Sequence, residues 1–94
     1  MLTFNLKKEW FEKIKSGKKT HEYRLYNDYW GNRLLYRKLP CRCVFACGYP
    51  SKNDTTKKLN AIIKNVSAIE CGINTDLKTS EAVLDIEFEL LEDS

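Results

Sequence analysis

Apolar and polar residues alternate along the last part of this sequence, and that two-residue period restricts the chain to folds built on strands. Every second residue from Ala82 to Leu90 is apolar, and three of the positions between them are acidic. The same alternation occurs in residues 2–6. A strand with one face on a core and the other in water has this period. The pattern therefore predicts strands near both ends of the chain.

The period changes to that of a helix after residue 6. Leu6, Trp10 and Ile14 recur every four residues with Phe11 beside them, which predicts an apolar stripe on a short helix. Gly17 is placed to end this helix, and lysines in its last turn favour the helix C-terminus.

Residues 18–25 predict a strand with two unlike faces. We expect the core face to be the one that carries His21, Tyr23 and Leu25. Glu22 and Arg24 are then expected to point away from the core. A histidine on a packed face is more often a hydrogen-bonded core residue than a catalytic one.

The remaining segments predict one more helical turn and three more strands. Asn27 and Asp28 indicate a capped turn, for which Trp30, Leu34 and Leu35 are expected to provide the apolar contacts. The predicted strands are 41–49, closed by a turn at 49–51, then 59–71, long enough to be bent or bulged, and 82–90, with 72–80 as a loop.

This order of elements favours a single α+β domain over residues 1–94. Five short strands and few helices are typical of a small, twisted, mostly antiparallel β-barrel, here with one N-terminal helix and a second short helix. Closure of a barrel also removes exposed sheet edges. No segment reaches the roughly 20 apolar residues of a membrane span, and the N-terminus lacks the apolar region of a signal peptide. We therefore expect a cytoplasmic protein with no membrane partner.

Charge is distributed unevenly along the chain. Residues 1–69 contain fifteen lysines and arginines against five acidic residues, whereas residues 70–94 contain one lysine against eight acidic residues. If the acidic part forms one strand at one side of the domain, the remaining surface is basic. A basic surface favours a polyanion or a phosphate-bearing ligand, although surface lysines also serve solubility alone.

The four cysteines are expected to be reduced thiols that pack in the fold. Cys41, Cys43 and Cys47 flank Phe45 on one strand face, as small core residues would. Their spacing lacks the C-x2-C pattern of common structural zinc sites, although a metal or a disulfide stays open as the alternative. No metal site and no cofactor is predicted.

Residues 9–24, EWFEKIKSGKKTHEYR, contain a motif. A short helix runs into the pattern G-x-K-x-x-E-x-R, which Gly17, Lys19, Glu22 and Arg24 fill. This stretch resembles the signature of the ASCH domains, a family of PUA-like barrels, and the apolar positions of the helix before it also match. Lys18, beside the motif lysine, is expected to face solvent.

The resemblance implies a cleft beside the barrel, lined by the Lys, Glu and Arg of the motif, and an association with RNA binding. Some family members are assigned hydrolytic roles on RNA or on an acylated cytidine. In the amide-hydrolysing branch the catalytic lysine corresponds to Lys19, Thr stands where this chain has Glu22, and a further catalytic Glu lies in a helical segment late in the chain. Residues 73–80 are too short to supply an obvious equivalent.

Two functional hypotheses follow. The first is an RNA- or nucleotide-binding module, because aromatic residues interleaved with arginines can stack on bases and contact phosphates. The alternative is a small hydrolase acting on an N4-acylcytidine nucleoside or on RNA, with Lys19 and Glu22 as catalytic groups. No catalytic triad, Walker loop or metal-ligand cluster is visible in the sequence, which favours binding, and no obligate protein partner is evident. The predicted ligand-binding residues are Lys19, Thr20, Glu22, Arg24, Trp30, Arg33 and Tyr49.

Overall fold

The structure, a computed structural model, describes residues 2–50 and 54–91. Its five strands form one sheet that curls into a half barrel, which confirms a small, mostly β, α+β fold with two helices. In chain order the elements are β1 (Leu2–Leu6), α1 (Lys8–Lys15), β2 (His21–Leu25), α2 (Asp28–Leu34), β3 (Cys41–Cys47), a 3-10 turn (Thr55–Lys57), β4 (Lys58–Ile69) and β5 (Val83–Leu90).

The order of strands across the sheet is β1-β3-β4-β5-β2. Three of the four pairings are antiparallel, as predicted, and the exception is β1, which runs parallel to β3. Within the described residues β1 and β2 are the two edges of the sheet. The Arg24 guanidinium of β2 donates a hydrogen bond to the Asn5 carbonyl of β1, at 3.3 Å. A side chain therefore joins the two edges where backbone pairing does not.

The long strand β4 is irregular, as its length predicts. Its register against β5 shifts between Ile63 and Asn65, which marks a bulge. The other strands begin or end close to the predicted positions: β2 begins at His21 and β3 ends at Cys47. The predicted turn at 49–51 includes Ser51, which lies outside the described residues.

The two helices form where the sequence places them. Gly17 has φ +82°, the left-handed backbone that favours glycine, directly after the last turn of α1. The Asn27 side chain caps α2 by accepting a hydrogen bond from the Trp30 amide, at 2.9 Å. Leu34 is buried, whereas Leu35 is 38% exposed and is not the core contact that was predicted. No helix within residues 2–50 and 54–91 has the length and apolar character that a membrane crossing requires.

One hydrophobic core is enclosed by the curled sheet and the helices. Its largest fully buried side chains are Phe4, Phe11, Phe45, Ile14, Leu34, Ile63, Leu84 and Ile86. Burying a side chain of this size contributes about 1.5–3 kcal/mol relative to leaving it in water. The curvature of the sheet therefore has an energetic reason, since it closes both edges around these side chains.

The cysteines are free thiols in different environments. Cys43 is fully buried, and burial raises the pKa of its thiol to about 12. Cys41 and Cys47 are half-buried and pack against the core, in agreement with the prediction for this face of β3. Cys71 is exposed.

The predicted orientation of β2 is wrong. Glu22 is 6% exposed, whereas Leu25 is 38% exposed and His21 faces Asp85 on the outer side of the sheet. The neighbouring strand decides this orientation, because Glu22 lies opposite Ile86 and β5 turns that side chain into the core. Glu22 can occupy the inner face because cations satisfy both of its carboxylate oxygens.

The acidic strand does not lie at one side of the domain, as was supposed. β5 runs between β4 and β2. Its outward carboxylates pair with both neighbours: Asp85 with His21 at 2.7 Å, and Glu89 with Lys64 at 3.5 Å. The acidic charge of this strand is therefore partly neutralised within the sheet, and the basic surface lies on other elements.

Candidate ligand cavity

A cavity of about 490 Å³ lies where the two edges of the sheet face each other, a size typical of small-molecule sites. We call it the aromatic cavity, after Trp10, Tyr23 and Trp30 in its walls. The end of β1, helix α1, strand β2, the start of α2 and the loop between β4 and β5 all contribute to it. Its other lining residues are Asn5, Leu6, Lys7, Glu22, Arg24, Leu25, Asn27, Asp76 and Leu77.

Glu22 is the central charged group of the cavity wall. One of its carboxylate oxygens lies 3.3 Å from the Lys19 ammonium, and the other lies 2.8 Å from the Arg24 guanidinium. The Arg24 Nε–H also donates to that second oxygen, at 3.1 Å. Two charge-assisted contacts therefore fix the carboxylate, and through it the two cations. The three polar residues of the sequence motif form one connected group.

Lys19 is a buried cation with two carboxylate partners. Its side chain is only 8% exposed, and its ammonium contacts both Glu22 and Asp76. The ammonium also lies 5.5 Å from the centre of the Trp10 ring and 5.1 Å from that of Tyr23, within cation–π range. Its backbone N–H donates to the Lys13 carbonyl at 3.1 Å, which holds the chain over the last turn of α1. Lys19 is thus fixed at both its backbone and its charged end.

Arg24 and Trp30 are held by the core. The Arg24 guanidinium lies 5.2 Å from the ring centre of Phe4 and 5.0 Å from that of Trp30. Trp30 itself stacks on Phe4, with ring centres 5.2 Å apart. Because Phe4 is fully buried, the indole of Trp30 is a rigid wall that needs little ordering before a ligand binds.

Tyr23 provides a hydroxyl in the same region. Burial raises its pKa, and the negative charges of Asp85 and Asp76 raise it further. The phenol therefore keeps its proton at neutral pH and can donate a hydrogen bond.

A second depression of about 320 Å³ adjoins the first and shares Trp10, Tyr23 and Asp76 with it. We call it the lysine cleft. Its remaining lining residues are Lys13, Lys18, Lys19, Thr20 and His21. Lys18 is exposed, as predicted, and borders this cleft. The contact between Lys19 and Asp76 lies at the boundary of the two spaces.

The structure brings together four of the seven predicted site residues. Glu22, Arg24 and Trp30 line the aromatic cavity, and Lys19, which contacts Glu22, lines the adjoining lysine cleft together with Thr20. The other two lie elsewhere. The Arg33 guanidinium covers the Tyr29 ring, 3.5 Å from its centre, and Tyr49 is 90% exposed beside a separate depression formed with Thr3 and Pro50.

The predicted site left out nine of the twelve residues that line the cavity in the described part of the chain, and Trp10 and Asp76 are the most informative of them. Trp10 was predicted to belong to the apolar stripe of α1, and it is half-buried and faces both spaces. Asp76 lies in the loop that joins β4 to β5, 57 residues from Lys19 in the chain. The helical period did indicate an aromatic residue at position 10. No local signal pointed to Asp76, because only the folded hairpin brings it to Lys19.

The charges of the aromatic cavity are nearly balanced. Its lining carries two cations, Lys7 and Arg24, and two carboxylates, Glu22 and Asp76. Such a wall offers hydrogen-bond donors and acceptors to an uncharged polar ligand more than it attracts a free anion. Across residues 2–50 and 54–91, no three His, Cys, Asp or Glu side chains are grouped as a metal site requires.

Comparison with known proteins adds information about the fold alone. No family model matches the chain, and no curated protein matches it. Among solved structures, the crystal structure of hypothetical protein PH0355 superimposes with a TM-score of 0.61 at 19% sequence identity, over 96% of this chain and 98% of that one. A likeness at this identity extends to the whole architecture and carries no functional assignment.

Proposed function

We propose that this protein binds a nucleobase-bearing ligand in the aromatic cavity: a nucleoside, a nucleotide or an unpaired RNA residue. The observation that carries this proposal is that Glu22 and Arg24 line a cavity together with Trp10, Tyr23 and Trp30, and that Lys19 contacts Glu22 from the adjoining lysine cleft. A base needs an aromatic face to stack on and hydrogen-bond partners at its edge. The cavity offers both within one small volume.

The hydrogen-bond partners are specific atoms. A lysine ammonium has three N–H donors, and the Glu22 and Asp76 carboxylates occupy two of those of Lys19. The third is left for an oxygen or nitrogen of the ligand where it reaches the lysine cleft, which Lys19 lines. The protonated phenol of Tyr23 is a further donor. Asn5, on the opposite edge of the sheet, also lines the cavity, and its backbone carbonyl accepts a hydrogen bond from Arg24.

The sequence motif supports a more specific proposal. Its Glu and Arg line one cavity beside a curled sheet and its Lys contacts that Glu from the adjoining cleft, which agrees with the cleft that resemblance to the ASCH domains implies. We therefore propose that the chain is a PUA-like ASCH domain and that its ligand is RNA or a component of RNA. The four free thiols fit a reducing compartment, and we propose the cytoplasm.

Calorimetric titration with the four ribonucleosides and a short single-stranded RNA tests this proposal. We expect Lys19→Ala to weaken binding by tenfold or more, because a charge-assisted hydrogen bond is worth about 1.5–3 kcal/mol. Lys15→Ala is the matched control, since Lys15 is an exposed lysine at the end of α1, four residues before Lys19, and lines neither space. Equal affinities of the two variants, or no binding by the unaltered protein, would refute the proposal.

A second candidate function is hydrolysis of an N4-acylated cytidine, and the position of Asp76 favours it. The Asp76 carboxylate lies beside the Lys19 ammonium, so a group that can accept a proton stands next to one that can donate a hydrogen bond. In such a reaction water adds to the acyl carbon while Asp76 accepts its proton, and Lys19 donates a hydrogen bond to the carbonyl oxygen. The bond between the acyl carbon and N4 then breaks as Asp76 returns the proton to N4. The products are the free carboxylic acid and cytidine.

Release of cytidine from N4-acetylcytidine distinguishes the two functions. A hydrolase should lose about 10²-fold or more in turnover in Asp76→Asn and in Glu22→Gln while still binding the substrate. A binding module should release no cytidine above the rate without protein, and Glu22→Gln should still bind ligand.

A further inference from the structure

The lysine cleft differs in charge from the aromatic cavity that it adjoins. Three lysines and a histidine line the cleft, against a single carboxylate, that of Asp76. The lining of the aromatic cavity is balanced between cations and carboxylates. The two spaces share Trp10, Tyr23 and Asp76, so a ligand in one can extend directly into the other.

Two of the three lysines are not neutralised. Lys19 contacts two carboxylates, but Lys13 and Lys18 form no ion pair with any residue in the described ranges 2–50 and 54–91. The Lys13 ammonium lies 4.7 Å from the centre of the Trp10 ring, which holds it beside the shared wall. Its charge is therefore placed where the two spaces meet.

His21 and Thr20 add polar groups to the same cleft. The His21 Nδ1 atom lies 2.7 Å from an Asp85 carboxylate oxygen, which fixes the orientation of the ring. Nε2 then remains for a ligand, since it has no hydrogen-bond partner in the part of the chain that the structure describes. The ammonium groups of the cleft and the Thr20 hydroxyl together are suited to the oxygens of a phosphate group, whereas Nε2 of a neutral His21 ring accepts a hydrogen bond and suits a hydroxyl of the ligand.

We infer that the lysine cleft is a phosphate subsite, which binds the phosphate of the same ligand whose base lies in the aromatic cavity. This inference rests on the proposed function. Lys13 and Lys18 supply the charge, and the contact between Lys19 and Asp76 separates the base from the phosphate. The ligand class is accordingly a nucleoside phosphate, either a free monophosphate or a phosphodiester within an RNA strand.

The test compares affinities for ribonucleosides, for their 5′-monophosphates and for a trinucleotide RNA at one low salt concentration. We expect the unaltered protein to bind the preferred monophosphate at least tenfold more tightly than its nucleoside. In Lys13→Ala and in Lys18→Ala, the ratio of the affinity for the monophosphate to the affinity for the nucleoside should fall to threefold or less. Lys15→Ala, which removes one lysine of α1 away from the cleft, should keep the ratio of the unaltered protein.

Each outcome decides the inference. A ratio near one in the unaltered protein, or an unchanged ratio in both cleft variants, overturns the subsite and leaves the proposed function standing. If Lys15→Ala lowers the affinity ratio as much as the cleft variants do, the subsite is also overturned. The lysines would then act only through the overall positive charge of the protein. If nucleosides, monophosphates and the trinucleotide all fail to bind, the proposed function fails and the subsite fails with it, whereas binding of the trinucleotide alone without dependence on Lys13 and Lys18 overturns only the subsite. A trinucleotide that binds more tightly than the monophosphate, with the same dependence on Lys13, identifies the phosphodiester as the source.

Discussion

Glu22 determines both the charge and the geometry of the cavity. Its side chain is 8% exposed, and each carboxylate oxygen contacts a different cation. An unpaired buried charge is costly, so the carboxylate and its partners depend on one another. If Glu22 lost its charge, Lys19 would keep Asp76 as a partner, whereas Arg24 would keep only a carbonyl contact to Asn5.

We predict that Glu22→Gln lowers the free energy of unfolding by about 2 kcal/mol, because it weakens two charge-assisted contacts. Urea unfolding measures this loss. Glu12→Gln is the control, since Glu12 is exposed on α1, and it should change the free energy of unfolding by about 0.5 kcal/mol or less. If both variants are equally stable, the Glu22 charge does not hold Lys19 and Arg24 in place.

The buried thiol of Cys43 makes the free energy of unfolding depend on pH in the alkaline range. Burial raises the pKa of its thiol from 9.0 to about 12. The unfolded chain therefore loses this proton at a lower pH than the folded protein does. Because the unfolded state then binds fewer protons, the contribution of Cys43 to stability is complete below pH 9 and is lost as pH rises towards 12.

Urea unfolding between pH 7 and pH 10 tests this dependence. The unaltered protein should lose stability above pH 9, and Cys43→Ala should lose less over the same range, although cavity formation makes it less stable at pH 7. Parallel declines in the two proteins would show that other groups cause the loss.

At the scale of elements, the loop between β4 and β5 positions Asp76. The Thr75 hydroxyl is buried, donates to the Gly72 carbonyl at 2.7 Å and accepts from the Leu77 amide at 3.3 Å. Gly72 also pairs with Thr79 across the loop, and a Cβ atom at position 72 would lie 2.5 Å from Val83. The loop is thus fixed by its own hydrogen bonds and by close packing on β5.

We predict that Thr75→Val weakens ligand binding although residue 75 is outside the cavity, because loss of the hydroxyl releases Asp76 from its position. The free energy of unfolding should fall by about 1–2 kcal/mol. Thr75→Ser keeps the hydroxyl and should retain affinity within about threefold. If Thr75→Val binds ligand as the unaltered protein does, the loop does not position Asp76.

The elements also show what the sequence can predict here. Alternation along 82–90 and the four-residue period of Leu6, Trp10 and Ile14 are local patterns, and both predicted their elements correctly. The orientation of β2 was predicted wrongly because each of its faces carries polar groups. Only its pairing with Ile86 of β5 decides which face is buried.

The part of the candidate site whose residues are close together in the sequence was predictable. The spacing of Lys19, Glu22 and Arg24 placed three polar groups near one another, and they meet. Arg33 and Tyr49 were included on residue type alone, and the fold carries them elsewhere. Asp76 reaches Lys19 only through the pairing of β4 with β5, and no pattern in its own neighbourhood encodes that contact.

At the scale of the whole molecule, the candidate site lies in the gap between the two sheet edges. β1 and β2 lie at opposite ends of the strand order, and the curl of the sheet brings the Arg24 side chain of β2 within hydrogen-bond distance of the Asn5 backbone carbonyl of β1. The edges enclose a cavity that the core supports from behind through Phe4. The same curvature that buries the core therefore forms the site.

The chain contains two tryptophans, Trp10 and Trp30, and both line the aromatic cavity. Intrinsic tryptophan fluorescence therefore reports directly whether a ligand occupies this space. The decisive measurement is a fluorescence titration with the four ribonucleosides and their monophosphates, repeated on Trp10→Phe and Trp30→Phe so that each indole is observed alone.

We predict a saturable fluorescence change from each single tryptophan, with the same midpoint, and a shift of that midpoint by tenfold or more in Lys19→Ala but not in Lys15→Ala. The absence of a saturable change with every ligand, or a midpoint that Lys19→Ala leaves where it was, would contradict the account.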